Sequence, residues 1–71
     1  MFRLKELREK NNISQVKLAM DLNLTQNTIS RYENEQRQAD YKTLLAFADY
    51  FKVSVDYLLG RTDENDFDKN K

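Results

Sequence analysis

SQVKLAMDLNLTQNTISRYEN, residues 14 to 34, decides the fold. It holds two segments with helical apolar spacing, and only Asn23 and Leu24 stand between the first and the Thr25 that opens the second. Each segment starts the same way. Ile13 precedes Ser14 with Leu18 four places after the serine, and Leu24 precedes Thr25 with Ile29 four places after the threonine. In such a start the hydroxyl accepts an orphan N–H of the first helical turn. The apolar residue before it packs on the one four places beyond, forming a hydrophobic staple. Two short helices joined this tightly must cross steeply, which asks three things of the sequence. Ala19 gives the small side chain needed where the backbones approach. Asn23 gives a turn residue that tolerates positive φ. Leu18, Leu22, Leu24, Ile29 and Tyr32 give inward apolar positions.

Working outward, the same start recurs at Val53-Ser54 before Leu58 and, more weakly, at Ala39-Asp40 before Leu44. None of the four has Glu or Gln three residues after the cap, so no capping box reinforces them. The pattern predicts an all-α fold of five helices, over residues 3–11, 15–22, 26–34, 41–51 and 55–59. The fourth is the most apolar, with Leu44, Leu45, Phe47, Ala48 and Phe51 on a broad face. Gly60, the only glycine, falls where a helix end favours a left-handed residue. Residues 1–61 are expected to form the domain. Residues 62–71, polar and acidic apart from Phe67, are expected to form a frayed, disordered tail.

Seventy-one residues allow one domain at most. The chain has no Cys and no His, which removes thiolate chemistry, disulfides, and the commonest metal ligand and general base. No cofactor or metal is expected, and a base-nucleophile arrangement for an enzyme is not recognisable. Without Pro and with one Gly, it also lacks phosphate-cradling glycine loops. No apolar run is long enough for a membrane span, and residues 1–10 alternate charges where a signal peptide would be apolar. The expected location is the cytoplasm. The net charge is zero but uneven: residues 1–12 carry four basic and two acidic side chains, residues 62–71 two basic and four acidic. The body is weakly basic once the tail is set aside.

Together, Ser14-Gln15, Leu18-Ala19, Thr25, Ile29-Ser30, Tyr32-Glu33-Asn34, Val53-Ser54 and Leu58-Leu59-Gly60 give the chain a family likeness. Over about residues 3 to 61 it resembles the XRE/Cro-type, phage-repressor-like helix-turn-helix domains. The resemblance implies a five-helix, lambda-repressor-like bundle with helices 2 and 3 as the helix-turn-helix. It further implies operator binding, usually as a homodimer, with helix 3 in the major groove. Two positions depart from the family pattern: Glu35 stands where Gly is usual after Asn34, and Ala39 where Pro often opens helix 4. Glu35 lacks the freedom of a left-handed cap and sets an acid near the phosphates, so a different end to helix 3 or weaker DNA binding is expected.

Helix 3 presents Gln26, Asn27 and Thr28 early and Ser30 and Arg31 one turn on. Amides suit adenine N6 and N7, Arg31 suits guanine O6 and N7, and a Thr methyl suits the thymine methyl. Taken alone, the same residues also fit plain solvation; within this scaffold the base-edge reading is the stronger. The resemblance implies Gln26, Asn27 and Arg31 as base readers, with Thr28 and Ser30 nearer the backbone. Gln15, at the start of helix 2, is a candidate phosphate contact, as are Thr25, Lys17, Asn34 and Arg37. A neutral first-turn residue is an equal reading of Gln15, and solvated charge an equal reading of Lys17 and Arg37.

Glu33 sits where the helix dipole disfavours an acid, and Arg8 lies beside the inward Leu7. The resemblance implies that an Arg of helix 1 pairs with this Glu, as a partly buried ion pair. The acids from Asp63 to Asp68 lack the Gly and Glu spacing of a calcium loop and read as solvated tail. Tyr50, Phe51, Tyr57 and Leu59 exceed what one small core needs, so Tyr50 and Tyr57 are candidates for a homodimer contact near helix 5. The leading function is a sequence-specific DNA-binding transcriptional regulator, a repressor. The alternative is a protein-interaction module of the same fold, such as the antitoxin of a toxin-antitoxin pair.

Overall fold

The computed structural model describes residues 2–65. Five helices follow one another: α1 Leu4–Lys10, α2 Gln15–Asp21, α3 Gln26–Glu33, α4 Tyr41–Phe51 and α5 Val55–Leu58. There is no strand among the described residues. Each observed end lies within a residue of the sequence expectation, the ordinary latitude of fraying termini.

All four capping residues act as such. Ser14, Thr25, Asp40 and Ser54 sit in extended backbone and accept from the N–H of Lys17, Thr28, Thr43 and Tyr57. α1 has no side-chain cap at Arg3. Its start is instead tied to the other end of the chain, through Arg3 N–H to the Leu58 carbonyl at 2.8 Å.

The helix ends share a second device. Asn12, Asn23, Glu35, Lys52 and Gly60 all take positive φ, from 56° to 74°. The residue after each donates its N–H five residues back: Ile13 to Arg8, Leu24 to Ala19, Gln36 to Arg31, Val53 to Ala48 and Arg61 to Asp56. These are Schellman closures, which satisfy carbonyls a helix end would otherwise orphan. In three linkers the apolar residue that closes one helix also precedes the cap of the next: Ile13-Ser14, Leu24-Thr25 and Val53-Ser54. A connection of very few residues thus fixes both the exit and the entry angle. The expectation of a different end to helix 3 at Glu35 is corrected here. Glu35 itself adopts the left-handed conformation, at φ 57°, and the helix closes like the others.

The core is one cluster. Leu4 and Leu7 of α1, Leu18 and Ala19 of α2, Ile29 and Tyr32 of α3, Phe47 and Ala48 of α4, Val53 and Leu58 meet in it. Leu4, Leu18, Ile29, Phe47 and Leu58 are fully buried, each contributing about 1.5 to 3 kcal/mol of transfer free energy. Tyr32 meets Phe47 edge to face, ring centroids 5.8 Å apart. α2 packs on α3, α4 on α5, and α1 reaches α3. Leu45, placed on the apolar face of the fourth helix by its periodicity, is exposed instead, and so is Val16 of α2. In a helix as short as α2 the stripe through Leu18 and Ala19 already fills the contact.

Residues 62–65, expected to begin the frayed tail, are held against the body. Arg3 Nη2 donates to the Thr62 carbonyl at 3.2 Å and to Asp63 Oδ1 at 2.7 Å. The Asn65 side chain accepts from Ser54 N–H and donates to the Lys52 carbonyl, both at 3.0 Å. The rest of the expected tail, and with it the remainder of the acidic run, lies outside the described residues. No helix among the described residues is long and apolar enough to cross a membrane.

Candidate nucleic-acid interface

α2 and α3 pack with Ala19 buried, and Leu24 N–H closes on the Ala19 carbonyl at 2.8 Å. This grips α3 by one side only: Ile29 and Tyr32 point inward, while Gln26, Asn27 and Arg31 are exposed. Thr28 and Ser30 are half-buried at the edges of that face. Thr25 caps α3, and its hydroxyl shares a 2.8 Å hydrogen bond with the Thr28 hydroxyl. Asn34 is exposed and its amide reaches the Ser30 hydroxyl at 3.4 Å.

Behind the face lies a polar cluster. Arg8 Nε meets Glu33 Oε2 at 2.6 Å and Arg8 Nη2 meets Oε1 at 3.1 Å, a fork-on-fork pair. The side chains are 12% and 2% exposed. Arg8 Nη1 also donates to the Ile13 carbonyl at 2.9 Å, which ties α1 to the linker before α2. The hydrogen bond to Glu33 holds the guanidinium above its ordinary pKa. Gln15 joins them: its Nε2 donates to Glu33 Oε1 at 3.0 Å, and its Oε1 faces Gln26 Nε2 at 3.4 Å. The sequence offers Gln15 as a candidate phosphate contact and gives no sign of this inward bond. With this bond made, the second Nε2 hydrogen of Gln15 remains as a side-chain donor for an outside partner.

The other candidates are dispersed. Lys17 reaches Asp21 at 3.0 Å one turn along α2. Arg37, beyond α3, lies over the Tyr32 ring, 5.7 Å from its centroid. Two contacts that no spacing in the sequence indicated bind the bundle together. The Tyr50 hydroxyl donates to Asp21 Oδ2 at 2.6 Å, joining α4 to α2. This hydrogen bond, with help from Lys17, holds the Asp21 carboxyl below the usual carboxylate range. Arg3 lies 4.5 Å over the Tyr57 ring and donates to the Tyr57 carbonyl at 2.8 Å. Among the described residues no group of acids is placed to hold a metal ion.

A tightly linked helix pair that exposes one edge of its second member is what the helix-turn-helix family shares, and that family's model matches residues 4–58. The chain belongs to the XRE/Cro-like helix-turn-helix family. It is similar to the HTH-type transcriptional regulator ImmR of Bacillus subtilis (strain 168), 44% identical over 59 residues, covering 83% of this chain and 46% of the relative. It is also similar to two uncharacterized HTH-type transcriptional regulators of the same organism. YqaE is 37% identical, covering 90% of this chain and 56% of the relative. YobD is 33% identical, covering 90% and 57%. The chain therefore spans about half the length of the curated relatives it matches.

Proposed function

We propose that this domain binds DNA in a sequence-specific way and regulates transcription, as a repressor that occupies an operator half-site with α3 in the major groove. The observation that carries the reading is the outward edge of α3. Gln26, Asn27 and Arg31 stand exposed on a helix whose opposite side, Ile29 and Tyr32, is locked into the core. An amide-amide-guanidinium edge matches the donor and acceptor pattern of bases in the major groove. In this reading Gln26, Asn27 and Arg31 read bases. Thr25, Thr28, Ser30, Asn34, Lys17 and Arg37 line the backbone, and Gln15 offers a phosphate its free N–H. No catalytic step, metal or cofactor enters it, and its place is the cytoplasm.

A single bundle this small has a narrow footprint, so two copies on a two-fold site complete the reading. Tyr50 and Tyr57 are engaged within the monomer by Asp21 and Arg3. The apolar contact therefore falls to the α4–α5 face, where Tyr41 and Leu45 are 69% and 38% exposed.

Selection of bound duplexes from a random pool tests the reading, paired with a salt titration of the winner. The expected result is a short preferred site with two-fold symmetry, and a log affinity that falls linearly with log salt as phosphate contacts release counterions. A pool that emerges unenriched would refute it and favour the interaction-module alternative.

A further inference from the structure

The linker between α3 and α4 borders an open cleft of about 410 Å³. Its walls are apolar and come from distant places in the chain: Phe2, Tyr32 of α3, Leu44 of α4 and Leu59. The core holds them in place. Tyr32 is 4% exposed and packs edge to face on Phe47, and the Arg3 N–H on the Leu58 carbonyl, at 2.8 Å, joins the immediate neighbours of Phe2 and Leu59. Two opposite charges, Glu35 and Arg37, border the same cleft. Both side chains are exposed, and among the described residues neither makes a hydrogen bond or an ion pair, with the other or with a third group. Their places are nevertheless set. Glu35 is fixed by its left-handed turn, with its N–H on the Tyr32 carbonyl at 3.1 Å. The Arg37 guanidinium lies over the Tyr32 ring, 5.7 Å from the centroid.

We infer that this cleft is a binding site for a free apolar α-amino acid of the leucine or phenylalanine type. Its ammonium meets Glu35, its carboxylate meets Arg37, and its side chain lies on the wall of Phe2, Leu44 and Leu59. The volume stands at the lower end of the range of small-molecule sites, about 300 to 1,000 Å³, which suits a guest of this size rather than a docked helix. Charge selects the class. A lone anion would face Glu35 and a lone cation would face Arg37, whereas a zwitterion with an apolar body satisfies both charges and the wall between them. The effect on DNA rests on the DNA-binding reading above, in which Arg37 contacts a phosphate. A carboxylate seated on that guanidinium takes it from the duplex. The amino acid therefore opposes DNA binding, and by linkage DNA opposes the amino acid equally.

The test has one arm without DNA and one with it. In the first, isotope-labelled protein is titrated by NMR with L-leucine, L-phenylalanine, N-acetyl-L-leucine and L-leucinamide, up to about 10 mM, to reach weak sites. Leucine or phenylalanine is expected to move the methyl signals of Leu44 and Leu59 and the backbone signals of Gln36 and Gln38, saturably. Blocking one charge of the ligand is expected to weaken binding about tenfold or more, and so is Glu35→Gln or Arg37→Gln in the protein. Both side chains are exposed, so these variants keep the fold. In the second arm, saturating amino acid is expected to weaken binding of the selected duplex and to reduce its salt slope by about 1, the loss of one phosphate contact. Glu35→Gln is expected to keep the duplex and lose this response. Signals that stay in place, or drift without saturating, overturn the site. Equal binding of the zwitterions and their blocked forms overturns the charge pairing. A duplex unaffected by saturating amino acid overturns the tie to Arg37. A wild-type protein that selects no duplex overturns the DNA-binding reading, and the NMR titration then judges the site separately.

Discussion

Glu33 receives Arg8 through two parallel hydrogen bonds and Gln15 through a third, although it lies in the last turn of α3, where the helix dipole disfavours an acid. The carboxylate is removed from water, and its three donors replace the lost solvation. Residue 33 thereby joins α1, α2 and α3 at one point.

Glu33→Ala is accordingly expected to leave the largely buried Arg8 guanidinium without its carboxylate partner. Breaking a buried pair costs about 3 to 5 kcal/mol. Arg8 keeps some contact with solvent, at 12% exposure, so the lower end, about 3 kcal/mol, is the expected value. In a domain of this size that lowers Tm by more than about 10 °C. A thermal melt of Glu33→Ala that overlays the wild type would refute the bridging role.

Glu35 carries a side chain into φ 57° at the end of α3. A Cβ is disfavoured there, and glycine has none. Glu35→Gly is expected to stabilise the domain by about 1 kcal/mol, since the closure it serves stays intact. It also removes a negative charge close to the proposed phosphate contacts, so DNA affinity is expected to rise along with Tm. Calorimetry and a binding titration at fixed salt check the two effects, and a lower Tm would contradict the strain argument.

Tyr50 and Asp21 give a pH-dependent contact between α4 and α2. The Tyr50 hydroxyl, then Lys17, depress the Asp21 carboxyl, so the contact contributes stability above the unfolded Asp value of about 4 and loses it as pH falls through the lower folded value. The same bond, with burial, raises the Tyr50 pKa, so the contribution is present below about pH 10 and is lost as pH rises through the folded value. Tyr50→Phe should therefore be less stable than the wild type near neutrality and converge with it at strongly acidic and strongly alkaline pH. Carboxyl NMR should show Asp21 titrating closer to its ordinary range in Tyr50→Phe. Parallel denaturation curves at all pH values would show that the contact adds nothing.

What could be read from the sequence was what neighbours in the chain decide. Ser14, Thr25, Asp40 and Ser54 announce their helices because a cap bonds a backbone N–H only three residues away. Asn23 announces its turn because its own φ is the constraint. The outward edge of α3 was legible for the same reason, once Ile29 and Tyr32 were taken as inward. Contacts such as Arg3 with Tyr57 and Asp63, or Tyr50 with Asp21, join residues 54, 60 and 29 apart. No spacing along the chain encodes them, and they appear only when the core has set which helices touch. Lys52 and Glu35 hid their left-handed backbone because neither residue type favours it. The closing Val53 and Gln36 N–H groups impose it from outside.

Arg31 and Arg37 are both exposed cations near α3, and their settings predict different losses. Arg31 stands on the outward edge of α3, one helical turn beyond Asn27. Arg37 lies past the helix and leans on the Tyr32 ring at 5.7 Å. A guanidinium on base edges contributes discrimination, and one on phosphate contributes affinity that depends on salt. Arg31→Ala is expected to cost about 1 to 3 kcal/mol at one base pair and to relax the preference there. Arg37→Ala is expected to weaken all duplexes alike and to reduce the salt slope by about 1, while Arg31→Ala changes mainly the base preference. The two outcomes separate in a single experiment, competition between the selected site and single-base variants at two salt concentrations. Equal discrimination by Arg31→Ala and wild type would remove Arg31 from the readers and leave the specificity to Gln26 and Asn27.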